Sequence, residues 1–218
     1  SNMSLQCEYS AVSGDRNSIS LGIQDRKKKI KHNGKSVTDR RDLIYNLPCI
    51  IFSHTDIDFI NGAPERKRWF FNQTMTLFDP MFIDLLRSYN KVLKMRNHSL
   101  KQRDRKMVEV LNYQLCSMGL ELTRRRKEAV LEFSSTFSPL FQDVSGFSNQ
   151  VTLEYKPSWK DCFSDEDAAN RLISHQERDE RLGTTTSGPH RDKFVFILKG
   201  SDFSETASTG QLRLMSLV

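Results

Sequence analysis

Three stretches carry residue types and spacings that could do chemistry. The first is Ala207-Ser208-Thr209-Gly210-Gln211-Leu212-Arg213, which runs into the apolar Leu214-Met215-Ser216-Leu217-Val218. Small hydroxyl residues and a glycine ahead of a helix-forming run describe a helix N-terminus. Its unpaired N–H groups and positive dipole end, about half a charge, favour an anion. Ser208 is also a good N-cap, so the same residues fit an ordinary helix start. The second stretch is Thr186-Ser187-Gly188-Pro189-His190-Arg191-Asp192. His190, Arg191 and Asp192 could suggest acid–base or kinase-like chemistry, but no Gly-rich nucleotide loop or downstream metal carboxylate accompanies them. Local bonding that holds the loop before the last strand is the other reading. The third is Gly34-Lys35-Ser36, which mimics the tail of a phosphate-binding P-loop. The full pattern needs a glycine where Lys29 stands, whereas Asn33-Gly34 is a strong hairpin signal, so a hairpin is expected.

The elements that must position these groups follow from periodicity and breakers. Residues 5 to 52 read as short β runs at 6–12, 18–25, 28–31 and 47–52. The last of these, Leu47-Pro48-Cys49-Ile50-Ile51-Phe52, leads into the polar loop Ser53-His54-Thr55-Asp56, where an α/β sheet often places ligand-facing groups; a lone loop histidine can equally be solvated. Pro64 opens a helix to Phe78 with Glu65-Arg66-Lys67-Arg68 in its first turn, where cations oppose the dipole. From Pro80 to about Gln102, apolar residues recur at three and four. After a break at Arg103-Asp104-Arg105 a second such helix reaches to about Phe141. Two long helices with a short connection should pack antiparallel as an arm. Arg124-Arg125-Arg126-Lys127 lies on the returning helix as a solvated face or a nucleic-acid patch. A strand over 151–156, one charged helix over 165–182 and a strand over 194–198 complete the chain.

At 218 residues the chain can bury a sizeable core. Cys7, Cys49, Cys116 and Cys162 form no C-x-x-C pair, so neither a metal site nor a disulfide framework is expected, and reduced thiols fit a cytoplasmic protein. No run approaches the roughly 18 apolar residues of a membrane span, so no membrane partner is expected. A net charge of +6 permits a polyanionic partner. Residues 1–3 read as a tag remnant.

Taken together, Phe52-Ser53-His54-Thr55-Asp56, Gly62-Ala63-Pro64-Glu65-Arg66-Lys67-Arg68, Tyr89-Asn90-Lys91-Val92-Leu93-Lys94-Met95-Arg96-Asn97, Thr186-Ser187-Gly188-Pro189-His190-Arg191-Asp192 and Ser208-Thr209-Gly210-Gln211-Leu212-Arg213 occur in the order and spacing of one family. The chain resembles RecF, a bacterial recombination mediator with an ABC-type ATPase head related to SMC heads. The resemblance implies an α+β fold: antiparallel strands of lobe I within 4–63, lobe II over 64–206 with a helical arm at about 80–141, and the start of a signature helix at 207–218. It implies that Ser208, Thr209, Gly210, Gln211 and Arg213 act in trans on ATP held by another subunit, and that Ser53 and His54 stand at the Q-loop. It further implies ATP and magnesium in the parent protein, an ATP-dependent homodimer, DNA at duplex and single-strand junctions, and RecR and RecO as partners in repair, replication restart and the SOS response. Arg66, Lys67, Arg68, Arg124, Arg125 and Arg126 are the expected phosphate contacts.

The sequence departs from the family where Lys193 replaces a second acid after Asp192, and where Leu212 replaces a polar signature residue. No Walker A or Walker B motif is found. The expectation is an internal fragment with no catalytic residue of its own and no bound cofactor, from a parent that is a weak DNA-dependent ATPase. The alternative is a non-enzymatic helical module that binds DNA or protein.

Overall fold

The computed structural model describes residues 3–10, 14–25, 27–39, 42–43 and 57–218. The chain divides into two compact units, Ser1–Ile51 and Phe52–Val218. In the first, strands β1 (Met3–Ser10), β2 (Arg16–Gln24), β3 (Lys27–His32) and β4 (Lys35–Ser36) form an antiparallel meander in that order. Asn33 and Gly34 both take positive φ, 49° and 79°, as the tight β3–β4 turn requires. The Asn33 side-chain oxygen accepts the Ser18 N–H and its own N–H donates to the Ser18 carbonyl, which ties the turn to β2. Gly34-Lys35-Ser36 is therefore a hairpin and not a phosphate loop. Register sorts the two faces: Leu5, Leu21 and Ile30 lie opposite one another on one face, and Ser4, Gly22 and Lys29 on the other.

The second unit is built on helices α1 (Asp58–Asn61), α2 (Pro64–Phe78), α3 (Pro80–Gln102) and α4 (Arg105–Ser145). Pro64 sits in the first turn of α2, and the Asp79 carboxylate caps α3 by accepting the Met81 N–H. Arg103 leaves α3 in the left-handed conformation and Asp104 caps α4 through the Met107 N–H. The expected break thus separates the two long helices, which pack along each other. With 41 residues, α4 is about 60 Å long. It passes Pro139 and ends at Ser145, beyond the expected 141, because buried Phe137 and Phe141 anchor both sides of the proline. Gly146 closes it with positive φ.

Strands β5 (Val151–Lys156), β6 (Lys193–Leu198) and β7 (Ser201–Asp202) form a small antiparallel sheet. The expected single helix over 165–182 is two, α5 (Asp165–Ser174) and α6 (Gln176–Leu182), parted at His175. Ser164 and Asp167 form a reciprocal capping box on α5. The short helix α7 (Phe203–Thr206) precedes α8 (Thr209–Leu217). One core is rich in aromatics: Phe71 stacks on Phe194 with centroids 4.4 Å apart, and Phe137, Phe141, Phe196 and Phe203 join them. Leu212 and Met215 of α8 enter that core. A second core gathers Tyr89, Leu115, Trp159 and Leu172 under α3 and α4. Gly119 is needed there, since a Cβ on it would come within 2.5 Å of the Trp159 ring.

Candidate functional site

The end of α8 is held from behind and open in front. Leu212 and Met215 bury the helix, whereas Ser208, Thr209, Gly210 and Arg213 are exposed. Ser208 is the N-cap: its Oγ accepts the Gln211 N–H and the Gln211 side-chain oxygen accepts the Ser208 N–H. Two donors of the helix end, and the Gln211 side-chain oxygen, are thereby engaged with each other. The Thr209 and Gly210 N–H groups have no intrahelical carbonyl to meet, and the Ser208 hydroxyl keeps its own hydrogen as a donor. A Cβ on Gly210 would meet only Ser208 Oγ, at 3.9 Å, so the backbone there can be approached closely. Open N–H groups at the positive end of a helix, a hydroxyl and a nearby guanidinium are a set of donors suited to a phosphate.

The Gly188–Asp192 segment is the opposite kind of place. Gly188 has φ 138°, and a Cβ on it would lie 3.0 Å from the Tyr89 hydroxyl. His190 Nε2 lies 2.9 Å from the Thr185 carbonyl and donates to it, so Nδ1 accepts the Tyr89 O–H at 2.8 Å. Burial pushes the imidazole down to about 4, which keeps it neutral. The Asp192 carboxylate accepts from Arg126 at 2.8 Å, from the Ser158 N–H at 2.7 Å and from the Tyr155 hydroxyl. Burial pushes this carboxyl up, with Arg126 pulling the other way. The exposed Arg191 donates to the Thr185 carbonyl. Every polar group of His190 and Asp192 is occupied by the protein itself, so the motif joins β5, β6, α3 and α4.

A second buried pair lies beside it. Arg96, wholly buried, donates to Asp179 at 2.8 Å, to Asn112 at 2.7 Å and to Thr185 at 2.7 Å. Asp179 in turn accepts the Thr186 N–H and hydroxyl, and Asn97 accepts those of Thr185. Arg96 and Asp179 were not singled out from the sequence. Their signal was position: Arg96 falls four residues after Val92 and four before Leu100 on the apolar stripe of α3.

The basic residues divide sharply. Arg68 is buried, donating to the Asp192 carbonyl at 2.7 Å and to Glu65 at 3.0 Å. Arg126 is buried too, held by Asp192, the Pro189 carbonyl and Asn72. Lys67 is buried; desolvation lowers its pKa, with Asp202 opposing. Arg68, Lys67 and Arg126 are thus buried in this structure, where the expected phosphate contacts would need to reach solvent. Arg124 is engaged by Glu121 and Glu128, and Arg125 by Glu121 and Asp79. The two arginines hold the Glu121 carboxyl down to about 2. Arg66 is exposed, and no ion pair is found for it among the described residues. Ser53 and His54, and the expected strand over 47–52, lie outside the described residues. Among the described residues no group of three His, Cys, Asp or Glu is placed to hold a metal ion, and no helix is long and apolar enough to cross a membrane.

This architecture superposes on a solved structure of the recombination mediator protein RecF with ATP, from the RecFOR pathway, with a TM-score of 0.88 over 99% of this chain and 61% of that one, at 23% identity. The two share an α+β fold of helices and antiparallel sheets. Among curated proteins, the chain is 34% identical over 200 residues to the DNA replication and repair protein RecF of Treponema pallidum (strain Nichols), covering 92% of this chain and 56% of the relative. It is 33% identical over 189 residues to the protein of that name from Leptospira interrogans serogroup Icterohaemorrhagiae serovar copenhageni (strain Fiocruz L1-130), covering 86% and 51%. No protein-family model matches the chain. The chain is similar in sequence to these RecF proteins, and it spans about half the length of the curated relatives it matches.

Proposed function

We propose that the exposed end of α8 is the signature half of an ATP site that is completed by a P-loop in another subunit. One observation carries this reading: Ser208, Thr209 and Gly210 face solvent while Leu212 and Met215 fix the helix behind them. The γ-phosphate of ATP would be met by the Ser208 hydroxyl, the Thr209 and Gly210 N–H groups and Arg213. The nucleotide supplies the charge that joins two subunits. Magnesium and a P-loop lysine would come from the facing site, so this chain by itself is not assigned ATP hydrolysis.

The protein would then work as RecF-type mediators do: a cytoplasmic, ATP-dependent homodimer on DNA at duplex and single-strand junctions, acting with RecR and RecO in repair, replication restart and the SOS response. The names of its relatives and the ATP-bound state of its structural neighbours support this reading.

A second reading is an ordinary helix cap on an interaction module, favoured by the reciprocal Ser208–Gln211 bonds. Ser208→Arg in a RecF-length protein separates them by sedimentation velocity. Loss of ATP-dependent dimerisation, with only the small fall in melting temperature that losing an N-cap brings, supports the signature role. Unchanged dimerisation leaves only the cap.

A further inference from the structure

With Arg68, Lys67 and Arg126 enclosed, any contact to nucleic acid must be sought among charges that are free. Among the described residues one such group is on the first unit, where Lys27, Lys29 and Lys31 of β3 are all exposed. Alternation along a strand puts these three on one face. Their partners in register are Gln24, Gly22 and Ser20 on β2, and beyond them stand Ser4 and Gln6 on β1. This face carries no apolar side chain at those positions. The apolar residues Leu5, Leu21 and Ile30 stand on the other face, along with Lys28 and Lys35.

The spacing is informative. Alternate residues of a strand are about 6.8 Å apart, so the three ammonium groups make a straight row. Consecutive phosphates on one strand of a duplex climb about 3.4 Å and also swing round the axis, which sets them apart by an interval similar to that of the lysines. Gly22 adds room at the centre of the face: a Cβ on it would meet only the Lys29 carbonyl, at 3.9 Å. Around it lies an open depression of about 520 Å³ whose lining includes Gly22, Lys27 and Lys29 together with Met3, Ile23 and Asp25. Lysine ammoniums, serine hydroxyls and a glutamine amide are all donors to phosphate oxygens. A membrane surface would call for apolar side chains among the lysines, which this face lacks.

We propose that the Lys27–Lys29–Lys31 face of the β1–β4 sheet binds the phosphodiester backbone of duplex DNA without sequence preference. This rests on the reading of the chain as part of a DNA-binding mediator. The test uses the 218-residue chain and a fluorescent duplex, titrated between about 50 and 200 mM salt. Lys29→Gln with Lys31→Gln is compared with Lys28→Gln plus Lys35→Gln, which removes the same charge from the opposite face. Circular dichroism checks that both variants keep the sheet.

The first pair is expected to lower the slope of log affinity against log salt by about 1.8, and the second to leave it near that of the unmodified chain. Equal effects of both pairs, or of neither, would overturn the assignment to this face while leaving DNA binding itself intact. An unmodified chain that binds no duplex at low salt would overturn both the face and the DNA reading. Binding instead to anionic phospholipid vesicles, lost in the first pair, would assign the row to a membrane and overturn the proposal.

Discussion

The end of α8 and the Gly188–Asp192 segment are built from similar materials, a glycine among small polar and charged residues, and they do opposite things. At α8 the glycine leaves open space, and the flanking hydroxyls and guanidinium face water. At Gly188 the glycine lets the Tyr89 hydroxyl approach within 3.0 Å of where a side chain would start, and each donor and acceptor of His190 and Asp192 is matched inside the protein. Residue type therefore does not separate a ligand site from a structural joint. What separates them is whether the polar groups are already satisfied.

Variants can break that contrast, and the joint should respond most. Asp192→Ala removes the partner of Arg126, whose side chain is 3% exposed, and leaves a buried charge uncompensated. Loss of about 3–5 kcal/mol is expected in urea denaturation. A loss under 1 kcal/mol would mean that water replaces the carboxylate. Gly119→Ala forces a methyl against the Trp159 ring and should cost about 1–3 kcal/mol in the same measurement. A neutral result would show that the ring can move aside.

The pH response of the joint has a definite sign. His190 is held neutral in the fold, at about 4, against an ordinary value of 6.5. Its contribution is complete above 6.5 and is lost as pH falls towards 4, because the unfolded chain then binds the proton more readily. Up to roughly 3 kcal/mol is expected to disappear over that window. His190→Gln, followed by chemical denaturation across pH, should flatten it. A window that persists unchanged in the variant would assign the effect to other groups.

Much of the fold was legible because its signals are local. The three-and-four periodicity of 80–102, the caps at Asp79 and Asp104, and the Asn33-Gly34 turn each follow from neighbours in sequence. What escaped depends on residues far apart. Arg96 and Asp179 are 83 positions apart, and nothing near either one announces the other. That pair draws Asp179 into the interior, on the helix that restarts at Gln176, so the expected single helix is two. The arginine run on α4 divides for a geometric reason. Adjacent helical residues point about 100° apart, so a run of three cannot all face water. Arg126, four residues after Leu122 and four before Val130, is the one that points inward. At α8 the helix start was legible, but the pairing of Gln211 with Ser208 was not assigned to the cap.

The central claim is that the α8 end is open for a phosphate and not merely capped. Gly210→Asp tests it in one experiment, because the fold and the site should answer in opposite directions. A carboxylate in the first turn of a helix complements the dipole, so the melting temperature should hold or rise. The same carboxylate would stand where the phosphate must come, so ATP-dependent dimerisation of the RecF-length protein, followed by sedimentation velocity, should be lost. A variant that still dimerises with ATP as the unmodified protein does would contradict the claim.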